Sequence, residues 1–102
     1  MDFGGCDTNA SPALHLSVVD ARTGAVLPGV EGARAIARDG VFADTALLLT
    51  AATGGLAYER PGTYNVTVEY PGYLIWSRAD IVVTSDRCHV RTKAINASLQ
   101  RQ

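Results

Sequence analysis

Positive charge is scarce in this 102-residue chain, which has a single lysine, Lys93, and nine basic residues against ten acidic ones. The net charge of −1 and the sequence pI near 6.0 argue against nucleic acid or an anionic membrane surface as a partner, since both require a basic patch. Long apolar runs are also missing. The longest, residues 45–52, is far shorter than the roughly 20 residues that span a bilayer. We therefore expect no nucleic-acid partner and no membrane span.

Histidine and cysteine, the usual ligands of transition metals, occur only twice each, as His15, His89, Cys6 and Cys88. Their spacing matches no zinc-binding pattern, and no Tyr-x-His grouping offers ligands for iron. A hydrolytic triad is not indicated, because neither histidine accompanies a Gly-x-Ser-x-Gly elbow. We interpret both histidines as surface or edge residues. The sequence thus predicts a protein that is not an enzyme and that uses no metal and no cofactor.

The two cysteines allow two interpretations. They are either unrelated buried thiols or a Cys6–Cys88 disulfide, and we favour the disulfide. Such a bond would enclose almost the whole chain, and the loop-entropy model assigns it an upper value of about 4–5 kcal/mol. A small domain gains most from this kind of tie, and the tie requires an oxidising compartment.

The first residues are polar and glycine-rich, and they contain no apolar segment of the signal-peptide type. Because we expect a disulfide, we predict an extracytoplasmic protein (secreted, periplasmic or on the cell surface) whose signal peptide has been removed. Residues 3–6, Phe-Gly-Gly-Cys, match a lipoprotein cleavage site poorly, and lipidation would take Cys6 away from Cys88. Residues 1–13 are interpreted as an N-terminal arm and residues 14–102 as one folded domain.

A period of two residues, typical of β-strands, runs through most of the chain. Between residues 63 and 70, four apolar or aromatic residues alternate with polar ones, as in a strand with one buried face. A Pro-Gly pair stands at each end, at residues 61–62 and 71–72, and each pair predicts a type II turn. The stretch therefore indicates one strand of an antiparallel sheet whose other face is in water.

Similar patterns predict further strands, separated by turn signals. Together the predicted strands cover residues 14–20, 33–38, 41–50, 63–70, 73–76 with 80–84, and 89–99. Residues 41–50 would also suit a short helix, but the Asp39-Gly40 hairpin signal requires a partner strand. Turns are predicted at residues 22–24 and 27–29, and changes of apolar phase predict bulges near residues 77–80 and at residues 93–95. Seven short strands with turns between them indicate an all-β, antiparallel β-sandwich.

Two segments carry a more specific pattern. Residues 18–30 read Val-Val-Asp-Ala-Arg-Thr-Gly-Ala-Val-Leu-Pro-Gly-Val, and residues 61–68 are followed by Pro71-Gly72-Tyr73. They resemble the two signatures of carboxypeptidase regulatory-like domains. The resemblance covers about residues 14–99 and implies a transthyretin-like (prealbumin-like) Greek-key sandwich of seven strands. Such modules occur beside catalytic domains and in secreted, surface and outer-membrane proteins, which implies a bacterial protein of the cell envelope.

The same fold includes transthyretin-related hydrolases. These enzymes carry a histidine before a Val-Leu-Asp segment of the first strand and end in Tyr-Arg-Gly-Ser. Here Ser17 stands at the position of that histidine, and residues 98–102 read Ser-Leu-Gln-Arg-Gln. Because both motifs are missing, the resemblance does not extend to this activity.

We predict a non-catalytic module with a structural or protein-interaction role in a secreted or cell-envelope system, with a protein as its partner. The alternative is a carbohydrate- or peptide-binding module that uses an aromatic patch of Tyr58, Tyr73 and Trp76, although a lone tryptophan in a small sandwich more often lies in the core. A transthyretin-related hydrolase ranks third. Lys93, with polar neighbours on the last strand, is interpreted as a solvated residue that discourages edge pairing.

Overall fold

The computed structural model describes residue 6 and residues 8–102. These residues form seven β-strands and no helix. The strands are β1 (Pro12–Asp20), β2 (Arg34–Asp39), β3 (Phe42–Leu47), β4 (Thr53–Tyr58), β5 (Gly62–Glu69), β6 (Trp76–Val83) and β7 (Lys93–Leu99). One sheet has the order β4-β1-β7 and the other β3-β2-β5-β6, and the two pack against each other. The predicted all-β sandwich of seven strands is confirmed.

The core lies between the two sheets and follows the two-residue period of the strands. Each of three strands sends alternate side chains inward, and these are at most 2% exposed: Leu14, Leu16 and Val18 of β1, Tyr64, Val66 and Val68 of β5, and Ile95, Ala97 and Leu99 of β7. Full burial of one Leu, Ile or Val side chain contributes about 1.5–3 kcal/mol. The face of residues 63–70 that the sequence predicts to be buried is therefore the face that holds the sheets together.

The last strand pairs with the first in parallel, in a continuous register from Leu14–Lys93 to Asp20–Leu99. The expectation of an entirely antiparallel sandwich is wrong for this pair, whereas the other four pairings are antiparallel. The bulge expected at residues 93–95 is also wrong. The bulge was expected because Val90 is out of phase with the apolar residues of β7. Val90 is buried, but it lies in the bridge with Ser85 before β7 and not in the strand itself.

One strand, β4, is absent from the sequence prediction, because its Gly54-Gly55 pair is typical of a break. The structure pairs β4 antiparallel with β1. The type II turn expected at residues 61–62 is wrong as well, since Gly62 already begins β5. The chain reverses earlier, where the Arg60 N–H donates to the Ala57 carbonyl at 3.3 Å.

Residues 27–29 do not form the predicted turn. Pro28 forms an antiparallel bridge with Ala51, so the segment runs extended beside the neighbouring chain. The reversal follows at residues 31–32, after which the Ala33 N–H donates to the Val30 carbonyl at 3.3 Å.

Other local predictions are confirmed. Residues 42–47 form a strand, and Gly40, with φ of 60°, lies in the hairpin before it. Gly72 has φ of 84° in the turn closed by the Tyr73 N–H and the Tyr70 carbonyl at 3.1 Å. The register of β5 and β6 shifts between Tyr64 and Val66, opposite the left-handed residue Asp80, which is the bulge predicted near residues 77–80.

The N-terminal arm predicted for residues 1–13 is described only at residue 6 and from residue 8, and β1 already begins at Pro12. Residues 3–5 of the weak lipoprotein motif lie outside the described residues. The part of the chain that the structure describes contains no apolar helix of membrane-spanning length.

Candidate functional site

A buried carboxylate organises the end of the sandwich where β1 finishes. Asp20 is the last residue of β1, and its inward position leaves it 3% exposed. It accepts a hydrogen bond from the Tyr73 hydroxyl at 2.6 Å, one from the Arg22 backbone N–H at 2.8 Å and one from Arg101 Nε at 3.1 Å. One side chain thus joins the turn after β1, the Pro71-Gly72 turn and the residues that follow β7.

These contacts fix the charge state of the corner. The Tyr73 hydroxyl, the Arg22 N–H and the Arg101 guanidinium hold the pKa of the Asp20 carboxyl well below its usual range, although burial opposes them. The hydrogen bond to Asp20 raises the pKa of Tyr73 above its ordinary value. Asp20 is therefore an anion near neutral pH, and its oxygens already accept hydrogen bonds from internal donors. This arrangement suits a residue that stabilises the fold better than a general acid or base.

An open groove of about 440 Å³ lies over this corner. Its lining comprises Asp20, Ala21, Arg22, Leu99, Gln100 and Arg101. The Arg101 side chain is 62% exposed beyond its bond to Asp20, and Arg22 is also exposed. Arg22 and Arg101 therefore bring two positive charges to the groove against the one negative charge of Asp20, and this balance favours an anionic group on any molecule that enters it.

Apolar side chains stand exposed next to this groove. Leu74 and Ile75 precede β6 and are 53% and 67% exposed, and the Leu74 N–H donates to the Gln100 carbonyl at 2.8 Å. These aliphatic residues and the nearby arginines combine apolar area with arginine, a residue type that is enriched in protein interfaces and their binding hot spots. Neither residue is among the candidates that the sequence analysis names.

The three aromatic residues of the predicted patch do not come together. Tyr58 ends β4 and pairs with Pro12 at the start of β1, whereas the Tyr73 hydroxyl contacts Asp20 at the end of β1. At about 3.3 Å per residue, these two places are roughly 26 Å apart. Tyr73 is 9% exposed, and Trp76 packs partly buried against the core, so only Tyr58, at 54%, offers most of its ring to solvent.

The predicted Cys6–Cys88 disulfide is confirmed, with Cα atoms 5.3 Å apart and a sequence separation of 82 residues. Cys88 lies in a tight turn that Asp86 stabilises, because one carboxylate oxygen accepts the N–H groups of Cys88 and His89 at 2.8 and 2.9 Å. These two bonds lower the pKa of Asp86. An aspartate at the first position of such a turn is a typical turn signal, because its side chain accepts backbone N–H groups that follow it.

An acid–imidazole pair lies beside the disulfide. Glu59 contacts His89 Nδ1 at 2.5 Å and accepts the Ser11 N–H at 2.8 Å. These contacts lower the pKa of Glu59, and the Ser11 bond has the larger effect on it. The backbone of Glu59 adopts the left-handed conformation, with φ of 56°. The pair joins segments that are far apart in sequence, so no motif could have revealed it.

The remaining candidates stay separate. His15 is exposed on the outer face of β1, level with Gly55 on one side and Ala94 on the other, and Ser17 lies one pair further along the same face. Lys93 is exposed at the first position of β7, as predicted. Among the described residues, no group of three or more His, Cys, Asp or Glu side chains is arranged to hold a metal ion.

No protein-family model matches the sequence, and no curated protein is significantly similar to it. The resemblance to carboxypeptidase regulatory-like domains therefore stays a prediction. The fold supports the coarser statement that the chain is a seven-strand β-sandwich of two sheets with a disulfide.

Proposed function

We propose that this protein is a non-catalytic β-sandwich module that binds another protein in an extracytoplasmic compartment. The observation that carries the proposal is the end of the sandwich at Leu74 and Ile75. There, two exposed aliphatic side chains adjoin a groove with two arginines. A partner that covered the aliphatic pair and placed a carboxylate in the groove would bury the apolar side chains and pair with the arginines at the same time.

The use of the ionisable side chains supports a binding role over a catalytic one. Asp20, Glu59 and Asp86 each accept two or three internal hydrogen bonds, and each has a lowered pKa. Catalytic acids and bases have pKa values tuned toward the working pH, and these three are moved away from it. They hold turns and chain ends in place.

The disulfide supports the compartment. A Cys6–Cys88 bond is stable where thiols are not kept reduced, as in the periplasm, at the cell surface or outside the cell. The transthyretin-like Greek key, the carboxypeptidase regulatory-like relationship and the bacterial cell envelope remain part of this proposal, and they rest on the sequence resemblance.

A photo-crosslinking amino acid at position 75, expressed in the organism of origin, tests the interaction. We expect one discrete adduct from the Ile75 position and none from position 41, because Val41 is even more exposed than Ile75 but lies at the β2–β3 hairpin tip. No adduct at either position, or the same adducts at both, would contradict a partner at this end of the molecule.

A carbohydrate-binding role is the second candidate, favoured by the exposed ring of Tyr58. Its hydroxyl lies over Gly55, where a side chain would collide with it, so the ring rests on the outer face of the three-stranded sheet. A glycan that stacks on this ring should perturb the NMR signals of Tyr58 and His15 and leave Trp76 fluorescence unchanged. The response should disappear in Tyr58→Ala.

A further inference from the structure

Among the described residues, one side of the sandwich is open between two bridges that close its ends. β6 and β7 belong to different sheets, and the two antiparallel bridges between their flanking residues show that they run in opposite directions. They are joined at one end by the Tyr73–Arg101 bridge and at the other by the Ser85–Val90 bridge. Between these ends, in the part of the chain that the structure describes, β6 pairs only with β5 and β7 only with β1. We call this opening the β6–β7 slot.

The free edge of β7 offers a regular set of backbone groups to the slot. The Leu99 carbonyl accepts from Ala21, on the β1 side, whereas the Gln100 carbonyl accepts from Leu74, on the slot side. Because backbone direction alternates along a strand, Ala94, Asn96 and Ser98 direct both their N–H and C=O groups into the slot. No hydrogen bond to these groups exists among the described residues.

Among the described residues, the other three sheet edges are protected from strand pairing, whereas the edge of β7 is not. On the far side of the sandwich, Asp44 of β3 accepts the Ala57 N–H of β4 at 2.8 Å and ties those two edges together. β6 carries the bulge at Asp80 and a charged residue, Arg78, in an inward position, and both devices discourage strand pairing. β7 has no bulge and no proline, and its one charge, Lys93, is at its first residue.

The residues that the structure describes also leave side chains across the slot uncovered. The three-stranded sheet has one strand fewer than the four-stranded sheet it packs on. Arg78 pairs with the buried residue Val66 and so lies in the inward phase of β6, yet it is exposed and has no ion-pair partner among the described residues. Trp76, two residues earlier in the same phase, is only partly buried. An added strand beside β7 would cover both.

We propose that the β6–β7 slot binds an extended segment of another protein, which adds to β7 as a further strand and places an acidic side chain against Arg78 between apolar side chains. This proposal rests on the proposed interaction role and specifies how the partner is held. A second copy of this chain fits less well, because β7 contains no acidic residue to meet Arg78. Recognition would combine backbone pairing for affinity with alternate side chains for specificity.

The probe is the acetylated and amidated peptide Ser-Val-Thr-Glu-Thr-Val-Ser. Its sequence reads the same from either end. The central glutamate can therefore face Arg78 whether the peptide pairs with β7 in parallel or antiparallel. The matched control peptide carries lysine at the centre. By NMR, we expect the glutamate peptide to protect the amides of Ala94, Asn96 and Ser98 from hydrogen exchange and to bind about tenfold more tightly than the lysine peptide.

Arg78→Glu should reverse this preference, whereas Arg38→Glu, on the outer face of β2, should leave it unchanged. Failure of both peptides to protect the three amides at millimolar concentration, or equal binding that Arg78→Glu does not alter, would overturn the proposal. Protection that appears without peptide and grows with protein concentration would show a second copy in the slot, and would also overturn it. If the peptide experiments fail but the crosslinker at position 75 still gives its discrete adduct, the β6–β7 slot proposal is wrong and the proposed interaction role is retained.

Discussion

Asp20 shows how a single residue links charge to stability. Its folded-state pKa is lowered, so the stability it contributes is fully present above its ordinary pKa of about 3.9 and is lost as the pH falls below that value. We expect Asp20→Asn to be less stable than the wild type at pH 7 and the difference to shrink as the pH falls from about 5 toward 2. Urea unfolding across this range measures both curves.

Tyr73→Phe serves as a second variant, because it removes the strongest donor to Asp20 and keeps the ring. It should reduce the pH dependence without abolishing it. Some acid sensitivity should remain in both variants, since the pKa values of Glu59 and Asp86 are lowered as well. A stability difference between wild type and Asp20→Asn that stays constant from pH 7 to pH 2 would rule out this account of Asp20.

Two glycines are needed for different reasons, which substitution can separate. Gly24 has φ of 76° with open space around it, so Gly24→Ala should cost about 1 kcal/mol from backbone strain alone. At Gly29, an added Cβ would lie 2.5 Å from the backbone N of Ala51 and 2.6 Å from the carbonyl carbon of Leu49. Gly29→Ala should therefore cost about 3 kcal/mol, as in overpacked cores. Urea midpoints rank the two, and equal costs would contradict the close approach at Gly29.

At the scale of elements, sequence patterns predict those strands, hairpins and bulges that a few adjacent residues determine. The alternation in β5, the Asp39-Gly40 hairpin and the bulge in β6 each depend on a few adjacent residues, and each is confirmed. β4 lacks such a signal, because Gly54 and Gly55 give it no alternating side chains. Its strand conformation depends on pairing with β1, a contact between distant parts of the chain.

The candidate site was harder to predict than the fold for the same reason. Tyr73 was noticed for its aromatic ring, but its role depends on Asp20, 53 residues away. Arg101 lies beside Asp20 only because β7 runs parallel to β1, a pairing that the sequence analysis did not expect. The cysteine pair was predictable because disulfide chemistry allows few partners when only two cysteines exist.

At the scale of the whole molecule, the Cys6–Cys88 disulfide closes a loop over most of the chain. The loop-entropy model predicts that Cys6→Ser with Cys88→Ser lowers the free energy of unfolding by up to about 4–5 kcal/mol, through greater freedom of the unfolded chain. Reducing the wild type should lower its urea midpoint to that of the double variant. The double variant itself should not respond to the reductant.

The slope of the unfolding curve distinguishes this entropic effect from the loss of native contacts. A crosslinked unfolded chain stays more compact and exposes less surface, so the oxidised protein should unfold with a smaller m-value than the reduced protein. The native NMR spectrum should change only near Cys88 and its turn, since Asp86 and Glu59 still hold that segment through their own hydrogen bonds. Equal m-values together with spectral changes across both sheets would mean that the bond supports native packing instead.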